Sequence, residues 1–148
     1  MEELLKIIQG LKFKPFEMLH NLMSDEAMQE WLLDVIREKQ LFQEGIGEEG
    51  IIIGYYSPYT EQINPTKKSG THFTLKDTGA FYGSMKVILL QDGFIIDADG
   101  YKVDEMGRET NLFEAYGKEQ NLLGLTEKNM QEFIDKIKEH TINALRNG

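Results

Sequence analysis

The sequence of 148 residues contains no cysteine. The chain can therefore form neither a disulfide framework nor a thiolate metal site, and it has no cysteine nucleophile. It also lacks an apolar run close to the roughly 20 residues that a membrane-spanning helix needs. Its first residues, Met1-Glu2-Glu3, are acidic where a signal peptide would be basic. We expect neither a membrane span nor an export signal, and stability must come from packing.

The sequence also has few positively charged residues compared with negatively charged ones. Lysine and arginine number 16 against 25 aspartates and glutamates, which gives a formal net charge of -9 at pH 7. Nonspecific binding to nucleic acid depends on cationic side chains that neutralise phosphates and release counterions. We therefore expect no tight binding to DNA.

The sequence also lacks recognisable sites for cofactors and metals. His20, His72 and His140 are scattered, and no two have the spacing of a metal pair on a helix. The glycines in residues 45–54 neither follow a strand nor open a helix with the Lys-Ser/Thr of a nucleotide-binding loop. We predict no cofactor and no metal.

One acidic run needs separate treatment, because hard cations bind several carboxylate oxygens. Asp97-Ala98-Asp99-Gly100, with Asp104 and Glu105, has the composition of a calcium loop. Counted from Asp97, however, the sixth and twelfth positions hold a lysine and an arginine, where an EF-hand requires glycine and glutamate. The run is better interpreted as the solvated end of a hairpin.

The remaining composition is that of a folded globular chain, with 41% hydrophobic and 28% charged residues. The length suits one domain, residues 1–148. We predict an α+β fold in which a small antiparallel sheet with a central hairpin is bracketed by N-terminal and C-terminal amphipathic helices. The predicted parts are an N-terminal helical region (1–43), a central sheet (51–100) and a C-terminal helix (127–146).

The helices near both ends of the chain are predicted from the spacing of apolar residues. Residues 25–42 carry apolar side chains three and four positions apart, and Ser24 is the predicted N-cap. Residues 2–9 are predicted as a short helix, and residues 16–23 as a second apolar stretch. Thr126 is the predicted cap of the last helix. The apolar face of that helix comprises Met130, Phe133, Ile134, Ile137, Ala144 and Leu145.

The central region is predicted from turn signals and short β-branched runs. Residues 51–53 are predicted as a strand, and Ser57-Pro58 as the start of a helical turn over 59–62. The apolar runs 87–90 and 94–96 flank Asp92-Gly93, which is a strong hairpin signal.

After this hairpin the sequence signals for secondary structure are weaker. A turn is predicted at Asp99-Gly100, followed by a polar loop through Arg108. Residues 111–116 are predicted as a short helix that Gly117 ends.

Asp77-Thr78-Gly79-Ala80 matches the catalytic tetrapeptide of retroviral-type aspartic proteases, in which two such loops share a proton between paired aspartates. In those proteases the loop lies in a buried apolar strand, whereas here charged Lys76 precedes the aspartate and aromatic Phe81 follows the alanine. Those proteases are also almost entirely β. We favour a capped turn that begins a short helix, with Phe81 and Met85 in the core and Lys76 in solvent.

Within the segment 75–85, Leu75, Asp77, Thr78, Gly79, Phe81 and Ser84 resemble the central signature of phage virion-morphogenesis and tail-completion (head–tail connector, neck) proteins. In that family a leucine, a threonine-glycine pair, a bulky apolar residue and a serine precede a strand. Upstream, Tyr56-Ser57-Pro58-Tyr59-Thr60, followed by Lys67-Lys68 and Gly70, is similar to an aromatic-led element of the family.

Downstream, Phe113-Glu114-Ala115-Tyr116-Gly117 and Leu123-Gly124-Leu125-Thr126-Glu127 are similar to the family's aromatic-glycine loop and to the start of its final helix. The resemblance covers about residues 53–145. The arginine-proline-phenylalanine that commonly precedes the last helix is replaced by Asn121-Leu122-Leu123. This departure leaves tail-completion, tail-terminator and ring roles open.

The resemblance implies a non-enzymatic structural protein of a bacteriophage neck or tail, which assembles in the host cytoplasm into a ring around the DNA channel of the virion. Its implied partners are other copies of itself and neighbouring portal, connector or tail proteins, and DNA would pass through without specific binding. Tyr55, Tyr56 and Tyr59 are candidate interface residues. The alternatives are an aspartic protease that uses Asp77 and an acidic inhibitor or regulatory protein.

Overall fold

The computed structural model describes residues 15–91, 93–104 and 106–147. It confirms the α+β class, with helices toward both ends of the chain and two small antiparallel sheets between them. The helix predicted over residues 2–9 lies outside the described residues. Within them, no helix is both long and apolar enough to cross a bilayer.

The elements follow one another in simple order along the chain. The helices are α1 (Pro15–Met23), α2 (Glu26–Asp34), a π-helix (Val35–Glu44), α3 (Pro58–Ile63), α4 (Ala80–Ser84), α5 (Leu112–Tyr116) and α6 (Glu127–Asn147). The strands are β1 (Lys86–Leu90), β2 (Gly93–Asp97), β3 (Tyr101–Val103) and β4 (Glu109–Asn111).

The helix predicted over residues 25–42 is present, but it differs at its start. Asp25, not Ser24, is the N-cap of α2, because its backbone is extended and its side chain accepts the N–H of Ala27 at 2.9 Å. The Ser24 hydroxyl instead donates to the carbonyl of His20 at 2.9 Å. The prediction of Ser24 as the cap was therefore wrong by one residue.

The second half of the same helix is wider than an α-helix. From Val35 the chain continues as a π-helix, which ends where Gly45 adopts a left-handed conformation with φ of 68°. A side chain on Gly45 would also collide with His72, since its Cβ would lie 2.4 Å from the imidazole ring. Gly45 thus combines a positive φ with a close approach, and both conditions favour glycine.

The central hairpin forms as predicted, with a small shift of its turn. Leu90 pairs with Gly93, so Gly93 belongs to the strand and not to the turn. The register places Val87 opposite Ile96 and Leu89 opposite Phe94. These four side chains pack on the core, as expected when alternate residues share a face of a strand.

Helices from both ends of the chain enclose the inner face of this hairpin. α1 and α2 contact each other and the hairpin strands, and the His20 Nδ1 lies 2.5 Å from the Leu90 carbonyl oxygen. On α6, the Phe133 ring stacks with Trp31 at 6.1 Å and meets Phe94 edge-on at 6.2 Å. The core therefore lies between the N-terminal helices, the hairpin and α6.

The last helix agrees with its predicted cap and face. The Thr126 hydroxyl accepts the N–H of Asn129 at 3.2 Å. Phe133, Ile134 and Ile137 are buried, and Met130 packs against them half-buried. The side chains of Ala144 and Leu145 lie outside what the structure describes.

Two predictions for the sheet were wrong. Residues 51–53 do not form a strand, because the side chain of Gln120 hydrogen-bonds to both backbone groups of Ile51. Its Nε2 donates to the Ile51 carbonyl at 2.6 Å, and its Oε1 accepts the Ile51 N–H at 3.2 Å. Only an isolated bridge joins Ile46 and Ile52. The predicted polar loop through Arg108 instead contains a second hairpin, β3–β4, in which Tyr101 pairs with Asn111.

The buried side chain of Gln40 links the π-helix to the start of α6. Its Nε2 donates to the Gly124 carbonyl at 2.8 Å, and its Oε1 accepts the Thr126 N–H at 3.0 Å and the Asn129 Nδ2 at 2.9 Å. Gln40 is completely buried. Three polar groups at the start of α6 thus depend on one amide.

We predict that Gln40→Met destabilises the protein by about 2–4 kcal/mol, because the substitution keeps the volume but leaves buried donors and an acceptor without partners. Urea denaturation followed by circular dichroism measures the change. The matched control is Gln43→Met on the exposed face of the same π-helix, which should stay within about 0.5 kcal/mol of the wild type. Equal effects of the two substitutions would contradict the assignment.

Candidate functional site

The segment 75–85 folds as a turn that leads into α4. Leu75 adopts a left-handed backbone conformation with φ of 58°, and Gly79 another with φ of 85°. The Thr78 hydroxyl accepts the N–H of Ala80 at 3.2 Å. The predicted capped turn is present, with Thr78 as the residue whose side chain caps and Gly79 supplying the positive φ.

The residues after this turn serve packing. Phe81 and Met85 are buried as predicted. The Ser84 hydroxyl donates to the Phe81 carbonyl at 2.7 Å and accepts the N–H of Asp99 at 2.9 Å, so it holds the chain that leaves the central hairpin. Buried Tyr82 donates its hydroxyl to the Thr74 carbonyl.

Lys76 and Tyr82 form a contact on the outer side of the turn. Burial raises the pKa of Tyr82, and the nearby carboxylate of Glu38 raises it further. Lys76 is exposed as predicted, with its ammonium 5.5 Å from the centre of the Tyr82 ring and 3.9 Å from a Glu38 oxygen. Tyr82 is thus held in its neutral form, in which it can donate its hydrogen bond.

An aromatic cleft of about 410 Å³ opens beside the turn. Its walls come from the segment 54–73, from α4, from β3 and from α5. The aromatic side chains that line it are Tyr56, Phe73, Phe81, Tyr101 and Tyr116. This volume lies within the roughly 300–1,000 Å³ of ligand pockets, which typically combine apolar walls with a few polar groups.

Several of the aromatic rings that line the cleft pack edge to face. Phe73 lies 4.9 Å from Tyr56 and 5.5 Å from Tyr116, measured between ring centres. Gly54 allows this arrangement, because a Cβ there would lie 2.5 Å from the Phe73 ring. Phe81, which also lines the cleft, meets Phe113 edge-on at 5.7 Å. Such pairs favour offset and edge-on geometry over direct stacking.

Asp77 lies in this cleft between two lysines. Its Oδ1 is 2.6 Å from the Lys67 Nζ, and its Oδ2 contacts the Lys102 Nζ. Burial lowers the pKa of Lys102, and the positive charge of Lys67 lowers it further against the opposing effect of Asp104. Two cations thus share one carboxylate, and the three groups carry a net charge of +1.

This arrangement differs from the aspartate pair of an aspartic protease. There, two carboxylates lie close together and share one proton. Here, both oxygens of Asp77 instead contact ammonium groups, those of Lys67 and Lys102. The surroundings of Asp77 therefore argue against the proton-sharing chemistry that its tetrapeptide suggests.

The three candidate interface tyrosines divide into two groups. Tyr55 and Tyr59 are 57% and 71% exposed, whereas Tyr56 is half-buried and lines the cleft. Sequence reasoning missed Ile63, which is 68% exposed. Its position four residues after Tyr59 on α3 was the available signal, because such residues lie on the same side of a helix.

The acidic run that suggested calcium is occupied by the protein's own donors. Asp104 Oδ1 accepts the backbone N–H groups of Met106 and Arg108, each at 2.9 Å, and Asp99 Oδ1 accepts the N–H of Tyr101 at 3.0 Å. Over the part of the chain that the structure describes, no three histidine or acidic side chains gather as a metal site would require.

Comparison with protein-family models, curated proteins and solved structures finds no match.

We predict that Asp77→Asn lowers the free energy of unfolding by about 1–2 kcal/mol, because Lys67 and Lys102 then lose their shared counter-charge and repel each other. Urea denaturation measures the loss, which should shrink in 1 M salt because screening weakens charge repulsion. Glu119→Gln, at an exposed position, is the control and should change stability by less than about 0.5 kcal/mol. No difference between the two variants would contradict the charge cluster.

A second prediction concerns pH and the β3–β4 hairpin. Hydrogen bonds from Arg108, its backbone N–H first, together with that of Met106, lower the pKa of Asp104. A lowered folded-state pKa contributes stability above the unfolded value, about 3.9, and this contribution is lost as pH falls through the folded pKa. Asp104→Asn should therefore lower the melting temperature at pH 7 and make progressively less difference below pH 4.

Thermal unfolding of both proteins between pH 7 and pH 2.5 tests this expectation. Asp135→Asn, on the exposed side of α6, controls for the general loss of an acidic group. A difference between wild type and Asp104→Asn that stays constant down to the lowest pH would contradict it.

Proposed function

We propose that this chain is a structural, non-catalytic protein of a bacteriophage neck or tail that assembles into an oligomeric ring around the DNA channel. Its partners are other copies of itself and neighbouring virion proteins such as portal, connector or tail proteins. DNA passes through the ring without specific binding, and assembly takes place in the host cytoplasm before the ring becomes part of the virion.

The observation that carries this proposal is apolar surface exposed on two different elements. The outer face of the β1–β2 hairpin presents Ile95, 48% exposed, beside Ile88, while Leu90 at the strand end is 40% exposed. On α3, Tyr59 and Ile63 are both exposed to more than two thirds. A ring requires two different, complementary patches on each subunit, because each subunit contacts its neighbour head to tail.

The hairpin strengthens this argument, because a two-stranded sheet with one wet face normally alternates apolar and polar side chains. Here, Ile88 and Ile95 oppose each other on the outer face, while Val87 and Ile96 oppose each other on the inner face. Apolar residues on both faces indicate that a partner covers the outer one. In the proposed ring that partner is a second copy.

The acidic composition supports the passage of DNA. A formal charge of -9 repels phosphates, so a lumen lined by glutamate and aspartate would keep the genome from adhering. The packing role of residues 75–85, with Phe81 and Met85 buried and Asp77 held by lysines, supports a motif that serves architecture more than chemistry.

Mass photometry and negative-stain microscopy test the proposal, first with the purified protein and then with neighbouring virion proteins. We expect closed rings of uniform diameter whose lumen is acidic. A protein that remains monomeric with every partner would overturn the proposal, and so would rings with a strongly basic lumen.

We predict that Tyr59→Ser and Ile95→Thr each weaken assembly by about tenfold or more, because each removes exposed apolar surface without touching the core. The midpoint concentration of assembly, from mass photometry, measures the effect. Ile142→Ser is the matched control: Ile142 is 48% exposed on α6, and its loss should leave assembly unchanged. Equal effects of all three would show that general surface hydrophobicity, and not these patches, drives association.

A further inference from the structure

We draw no further inference here: the strongest candidate, the aromatic cleft beside α4, balances two lysines against two aspartates in its lining, and nothing in the described residues shows what occupies it.

Discussion

The fold depends on the buried amide of Gln40, because it joins the π-helix to the start of α6. Its hydrogen bonds reach the Gly124 carbonyl, the Thr126 N–H and the Asn129 side chain, all at or just before the start of α6. A helix start carries backbone N–H groups that no helical carbonyl can satisfy, and Gln40 satisfies one of them from the N-terminal half of the molecule. Trp31 stacks with Phe133 and adds a second contact between the N-terminal helices and α6.

The central hairpin packs one of its two faces against the core. Val87, Leu89, Phe94 and Ile96 fill that face, and the opposite face carries Ile95, which is 48% exposed, beside Ile88. The hydrophobic effect therefore favours burial of this outer face against another molecule. In the proposed ring, the same pair of strands would pack on the core with one face and contact a neighbouring copy with the other.

The Asp77 cluster shows why a short motif needs its surroundings. The tetrapeptide alone suggests an aspartate that shares a proton, yet Lys67 arrives from the loop after α3 and Lys102 from β3. These residues are 10 and 25 positions away from Asp77 in the sequence. No local sequence pattern predicts that these lysines meet Asp77. The contact forms only because the folded chain brings the second hairpin and the segment 54–73 close to Asp77.

Local physical chemistry accounts for what the sequence by itself determined. The α+β class, the helix that begins after Thr126, the capped turn at Thr78 and the central hairpin all follow from spacing, capping and turn signals within a few residues, and each is present. Tertiary structure alone decided that the side chain of Gln120, and not a neighbouring strand, would hydrogen-bond to the backbone of Ile51. It also decided that β3 and β4 would pair and that two lysines would meet Asp77. These contacts join residues far apart in the chain, and their free energy depends on the packed core that brings them together.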